Sequence, residues 1–142
     1  MAVKMENYIK KIRQQAEKAY KIGEVPIGCI IVKNNKIIAS AYNKKEKTKL
    51  AINHAEIIAI KKASKRLKTW RLDDCIMYVT LEPCMMCRGA INESRIKKVY
   101  YLTPKTDRYK ENNKNTKFIK LTDDLNEDEL LKKFFKNKRK RG

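Results

Sequence analysis

No apolar run in this sequence approaches the roughly 18 residues that a membrane-spanning helix needs, so no membrane association is expected. The opening stretch, Met1 to Lys11, mixes charges with isolated apolar residues and does not resemble a secretory signal. With 4 glycines and 3 prolines among 142 residues there is no low-complexity block, and no repeat is visible. One domain spanning 1–142 around a single core is therefore expected, with a basic tail from about residue 136. Histidine is reduced to one residue, His54, and tryptophan to one, Trp70. The 4 cysteines include a Cys-x-x-Cys pair without an extracellular context, which argues against a disulfide framework and for a reduced, cytoplasmic setting.

Negative charge is also scarce. Against 35 Lys and Arg there are 16 Asp and Glu, a formal net charge of +19. A surplus of this size favours polyanions through counterion release from phosphates, so nucleic acid is the leading partner class. The competing reading is a lysine-rich composition in which residues such as Lys61, Lys62 and Lys65 are solvated helix faces.

Apolar spacing supplies the elements. Tyr8, Ile9, Ile12, Ala16, Ala19 and Tyr20 recur at three- and four-residue steps, predicting a helix over Met5–Ile22 that Gly23 stops. Two short apolar runs, Ile27–Val32 and Lys36–Tyr42, flank Lys33-Asn34-Asn35 and predict a hairpin. After a polar stretch, Asn43–Lys49, helical spacing returns over Ile52–Leu67. Cys75–Leu81 is expected to be a central strand covered on both faces. Then follow a short helix at Cys84–Ser94, a strand at Lys97–Leu102, a long polar connection at Thr103–Thr116 and a last helix at Glu127–Lys136. Strands alternating with helices imply an α/β fold with a mixed sheet between helical layers.

The chemistry concentrates in one constellation. His54 opens a predicted helix, Glu56 follows two residues later, and Pro83-Cys84-Met85-Met86-Cys87 comes at the start of another helix. An i to i+3 spacing puts both thiols on one face, and helix-end amides favour the thiolate that binds metal. One imidazole and two thiolates form a Zn2+ ligand set of three, the number found in catalytic sites, which keep a position for water. A zinc ion lowers the pKa of such a water, and a carboxylate beside it, Glu56, can take the proton and deliver it elsewhere. The alternative is a closed structural staple in which Cys29 or Cys75 supplies a fourth ligand, although both stand in apolar strands where cysteine behaves as a small hydrophobe. Neither a lone histidine nor a lone Cys-x-x-Cys would be informative; their combination with Glu56 is.

His-x-Glu followed by Pro-Cys-x-x-Cys is the mark of zinc nucleobase deaminases. Together with Glu24-Val25-Pro26-Ile27-Gly28, Asn43, His54-Ala55-Glu56, Trp70-Arg71-Leu72 and Tyr78 through Cys87, the sequence resembles the bacterial tRNA-specific adenosine deaminases over roughly Tyr8–Leu102 and again at Phe134-Phe135. The resemblance implies a cytidine deaminase-like three-layer α/β/α sandwich with a five-stranded mixed sheet. It implies a homodimer that converts a wobble adenosine of a tRNA anticodon stem-loop to inosine. It also implies that His54, Cys84 and Cys87 bind zinc and that Glu56 moves protons. Asn43 would hydrogen-bond the base, Ile27 would pack on it, and backbone near Ala55 and Glu82 would line the pocket. Read alone, Asn43 is a turn residue and Ile27 is core.

Three departures from that family stand out. Asn53 precedes the histidine where alanine is usual, the segment after Leu102 lacks the usual glycine-rich loop, and Lys105 stands where an aspartate is common. A cation there should strengthen phosphate attraction and weaken discrimination that depended on the acid, which makes single-stranded DNA a second candidate substrate. Two rival functions share the motif: a free-base or nucleoside deaminase acting on guanine, cytosine or cytidine, and a non-catalytic zinc-stapled nucleic-acid-binding module.

Overall fold

A computed structural model describes residues 2–105, 115–121 and 129–141. Helix α1 (Ala2–Lys21) leads into a hairpin of β1 (Gly28–Lys33) and β2 (Lys36–Tyr42). A four-residue helix α2 (Lys45–Thr48) and the helix α3 (Ala55–Leu67) follow. Then come β3 (Cys75–Leu81), α4 (Met85–Glu93), β4 (Lys98–Thr103), β5 (Lys117–Lys120) and α5 (Glu129–Arg141).

The hairpin forms because Asn34 and Asn35 both accept positive φ, 50° and 64°. That is the two-residue turn whose twist matches its strands. The sheet order is β2-β1-β3-β4-β5. β1 pairs antiparallel with β2 and β3, whereas β3–β4 and β4–β5 are parallel, so the sheet is mixed. Alternation along the strands divides the core. Cys29, Ile31, Met77, Val79 and Val99 face a layer containing Ala55, Ala59, Ala63 and Ile91 of α3 and α4. Ile30, Val32 and Tyr78 face Tyr8, Ile9 and Ile12 of α1. Covered on both faces, β1 and β3 are buried almost throughout, which is why they read as continuous apolar runs.

The edge strand β2 is guarded by cations one helical turn apart on α3. Lys62 Nζ donates to the Ser40 carbonyl at 2.8 Å and Arg66 Nη1 to that of Ile38 at 3.3 Å.

Several elements differ from expectation. The polar stretch Asn43–Lys49 contains α2, too short to carry periodicity. β5 was not visible from the residues, because its four residues, Lys-Phe-Ile-Lys, give only two apolar positions and both ends are charged. Its place in a five-stranded sheet was available only through the resemblance. The last helix runs on to Arg141, through residues expected to form a basic tail. Part of the Thr103–Thr116 connection, 106–114, and the expected helix start at Glu127 lie outside the described residues.

Candidate active site

Strand register brings the site together. Because β1 runs antiparallel to β3 with Cys29 opposite Val79, the residues before Gly28 lie at the end of β3 that leads to Cys84. Gly28 in turn pairs with Tyr42, so Asn43 arrives at the same edge. There the N-termini of α3 and α4 converge, with His54 and Cys84 at their N-cap positions, both in extended backbone (φ −72°).

Cys84 Sγ and Cys87 Sγ each lie 3.6 Å from His54 Nδ1. The three donor atoms lie within 4.8 Å of one another, and among the described residues they form the only such group of three or more metal-ligating side chains. In a tetrahedral zinc site, Zn–S of about 2.3 Å and Zn–N of about 2.0 Å put a sulfur about 3.5 Å from a nitrogen, close to the separation found, so the spacing and chemistry fit zinc. Cys29 and Cys75 are outside the group. Cys75 opens β3, about 20 Å of strand away from the site, while Cys29 is fully buried in β1 and its thiol is raised by burial.

Electrostatics distinguish the donors. A hydrogen bond from Cys87 holds the Cys84 thiol down to about 3, and the same bond together with burial raises Cys87. His54 is raised, first by its hydrogen bond to Cys84, against burial and the Lys105 charge. Glu56, second in α3, is 3% exposed, and its Oε1 is buried with no hydrogen-bond partner among the described residues. Burial, opposed by its own backbone N–H, pushes this carboxyl up to about 7. Such a group exchanges protons readily at neutral pH.

The remaining expected residues are placed as follows. Asn43 is buried, its N–H donates to the Ile27 carbonyl at 3.1 Å, and half-buried Ile27 packs against the main core. Ala55 is fully buried in that core. Glu82 is tied down: Oε2 pairs with Arg88, Oε1 accepts the Lys105 N–H at 3.0 Å, and Arg88 stacks over Phe118 of β5. Lys105 is thereby held at the site. Asn53 braces α2, donating from Nδ2 to Thr48 Oγ1 at 2.9 Å, while its Oδ1 is buried without a partner among the described residues. In the sequence Glu24 stands out only as part of a motif, yet it is the most connected buried acid at this edge. Its signal in the sequence was a carboxylate inside the apolar Glu24–Gly28 run.

The sequence profile of the cytidine and deoxycytidylate deaminase zinc-binding region matches residues 2–103. A tRNA-specific adenosine deaminase of Bacillus subtilis is 49% identical over 96 residues, which cover 68% of this chain and 60% of that protein, so the chain spans about three fifths of this relative's length. A solved structure from work on A-to-I editing by tRNA:A34 deaminases superposes with a TM-score of 0.69 at 35% identity, covering 70% of this chain and 72% of that one. A guanine deaminase from Bacillus subtilis gives 0.67 at 40% identity, covering 72% and 66%. With the profile covering most of the chain and the three donors at zinc spacing, this chain belongs to the cytidine and deoxycytidylate deaminase family and carries its zinc-binding region.

Proposed function

We propose that this chain is a zinc-dependent hydrolytic deaminase that converts adenosine to inosine in nucleic acid, with the wobble position of a tRNA anticodon stem-loop as its substrate. One observation carries the reading. Beside a donor set of three stands a buried carboxyl, Glu56, with one oxygen unpaired among the described residues and a pKa near neutrality, and a structural staple has no use for it. The names of the relatives and the net charge of +19 support a polyanionic, adenosine-bearing substrate.

Zinc, when bound, supplies the Lewis acidity that makes water nucleophilic at neutral pH. Glu56 then takes the proton of the attacking water and delivers it to N1 of the ring, making the amino-bearing carbon electrophilic. As the carbon–nitrogen bond breaks, Glu56 returns a proton to the departing amine; adenosine and water become inosine and ammonia. Asn43 holds the flipped base by hydrogen bonding and Ile27 packs against it, with backbone near Ala55 and Glu82 as pocket wall. Lys105, fixed by Glu82, adds phosphate attraction and extends the substrate range to single-stranded DNA.

The protein works as a homodimer in the cytoplasm. Exposed Leu50, Ile52, Met85 and Met86 beside the site helices support the dimer, and among the described residues no helix is long and apolar enough to cross a membrane. Light scattering coupled to gel filtration tests the dimer.

The deciding experiment incubates zinc-loaded protein with adenosine- and cytidine-containing RNA hairpins, DNA oligonucleotides and free guanine. Inosine in the RNA hairpins is expected, with a slower reaction on DNA. Uracil alone would overturn the adenosine assignment, and xanthine alone would favour the free-base reading, which the likeness to a guanine deaminase supports. Glu56→Ala should abolish turnover while keeping zinc; a binding module would lose nothing.

A further inference from the structure

Glu24 is 1% exposed and forms no ion pair among the described residues. A buried carboxylate without a counter-ion must be stabilised by donors, and three N–H groups converge on this one. Oε2 accepts the Lys47 N–H at 2.7 Å, and Oε1 accepts the Glu46 N–H at 3.0 Å and Asn43 Nδ2 at 3.4 Å. The first two are first-turn amides of α2, whose own N-cap, Lys44, offers no side-chain bond. The direction of Glu24 is set from behind. Gly23 takes the left-handed conformation (φ 81°), and the Gly23 and Glu24 N–H groups close on the carbonyls of Tyr20 and Ala19 at 3.1 and 2.9 Å, ending α1.

A carboxylate only accepts hydrogen bonds. It therefore decides which end of the Asn43 amide faces it: Nδ2 must turn toward Glu24, so Oδ1 is turned away. Among the described residues Oδ1 has no hydrogen-bond partner, whereas the Asn43 backbone is already fixed on Ile27. We infer that Glu24 is a positioning residue for substrate recognition: by capping α2 and holding Asn43 Nδ2 it locks the polarity of that amide, so that Asn43 presents its carbonyl oxygen to an N–H or O–H of the bound nucleotide. The inference rests on the deaminase reading of this site. It assigns the buried acid of the Glu24–Gly28 run to discrimination rather than to chemistry. Glu24→Gln keeps the shape but replaces an acceptor with a donor, which permits the Asn43 amide to turn over and leaves an α2 amide unmatched.

The test is a double-mutant cycle on the full, zinc-loaded chain with an adenosine-bearing anticodon stem-loop, comparing the parent, Glu24→Gln, Asn43→Ala and the double variant. Glu24→Gln is expected to lower kcat/KM about tenfold, mainly through KM, with zinc content unchanged, and to have less than about a twofold effect once Asn43 is alanine. Near-parental kcat/KM in Glu24→Gln, or a full loss that persists in the Asn43→Ala background, would overturn the inference. Should the glutamine variant not fold, Glu24→Asp, which keeps the charge but cannot reach all three donors, is read in the same cycle with the same criteria. A second readout needs no turnover: in ¹⁵N spectra the Asn43 side-chain amide should show one proton shifted and slow to exchange, and lose that signature in either variant. If the parent fails to deaminate the stem-loop, the functional proposal falls by itself, while an Asn43 amide signal indifferent to Glu24 sinks the positioning role independently.

Discussion

Replacing Gly28 by alanine adds one methyl group where the backbone of α1 crosses β1. A Cβ at that position would lie 2.0 Å from the Ile12 carbonyl oxygen, 2.6 Å from the Ala16 nitrogen and 2.8 Å from Gln15 Cβ. The first separation is about 1.4 Å short of ordinary van der Waals contact. Two of the three atoms belong to a helix backbone and cannot swing aside, so α1 must move as a body. Its buried Tyr8, Ile9, Ile12, Ala16 and Ala19 would then lose their fit against the sheet. Overpacking of this kind costs about 3 kcal/mol, which for a domain of this size lowers Tm by about 10 °C. Gly89 provides the control. It lies exposed in α4, and a Cβ there meets nothing within 4 Å. Gly89→Ala should therefore raise stability by about 0.5–1 kcal/mol, because alanine has less backbone entropy to lose in a helix. Urea and thermal denaturation followed by circular dichroism measure both. A Gly28→Ala protein melting within about 2 °C of the parent, or two variants moving in the same direction, would refute the reasoning.

In metal-free protein, burial raises Glu56 from 4.5 to about 7, so the folded chain binds this proton more tightly than the unfolded chain. That contribution is complete below about pH 4.5 and lost as pH rises through 7; relative to Glu56→Gln, the parent should lose about 3 kcal/mol across the window. Urea unfolding in chelator at a series of pH values checks this, and parallel profiles would contradict it. Lys62→Ala combined with Arg66→Ala uncovers the Ser40 and Ile38 carbonyls on the edge strand, so light scattering on warming should rise earlier than for the parent. Arg88→Ala removes the partner of half-buried Glu82 and should cost about 2 kcal/mol in urea unfolding, with faster amide exchange at Lys105. Unchanged exchange there would mean that the ion pair does not hold this segment.

The parts of the fold that were legible in the sequence are those in which one residue type answers one constraint. The Cys75–Leu81 strand, buried on both faces, matched its expectation end for end, and the Asn34-Asn35 turn sets the first hairpin pairs, Lys33 with Lys36 and Val32 with Ile37, before a bulge shifts the register between Val32 and Ile31. α3 begins at Ala55, three residues after the apolar spacing starts, because Ile52 belongs to the turn that delivers His54. β5 and α2 are stabilised by neighbours and not by their own pattern: β5 by pairing with β4, α2 by Glu24. At the site, the His54, Cys84 and Cys87 spacing announced a shared face, which requires only that two helix starts meet. The long-range partners were invisible, since nothing local in the chain links Glu24 to Asn43 or Glu82 to Lys105.

The proposed deaminase requires a metal bound by one nitrogen and two sulfurs of the protein, with the fourth position left to solvent. X-ray absorption at the zinc edge of the zinc-loaded protein tests this most directly. Two sulfurs at about 2.3 Å and two lighter atoms at about 2.0–2.1 Å are expected. A third sulfur in the shell, contributed by Cys29 or Cys75, would contradict it.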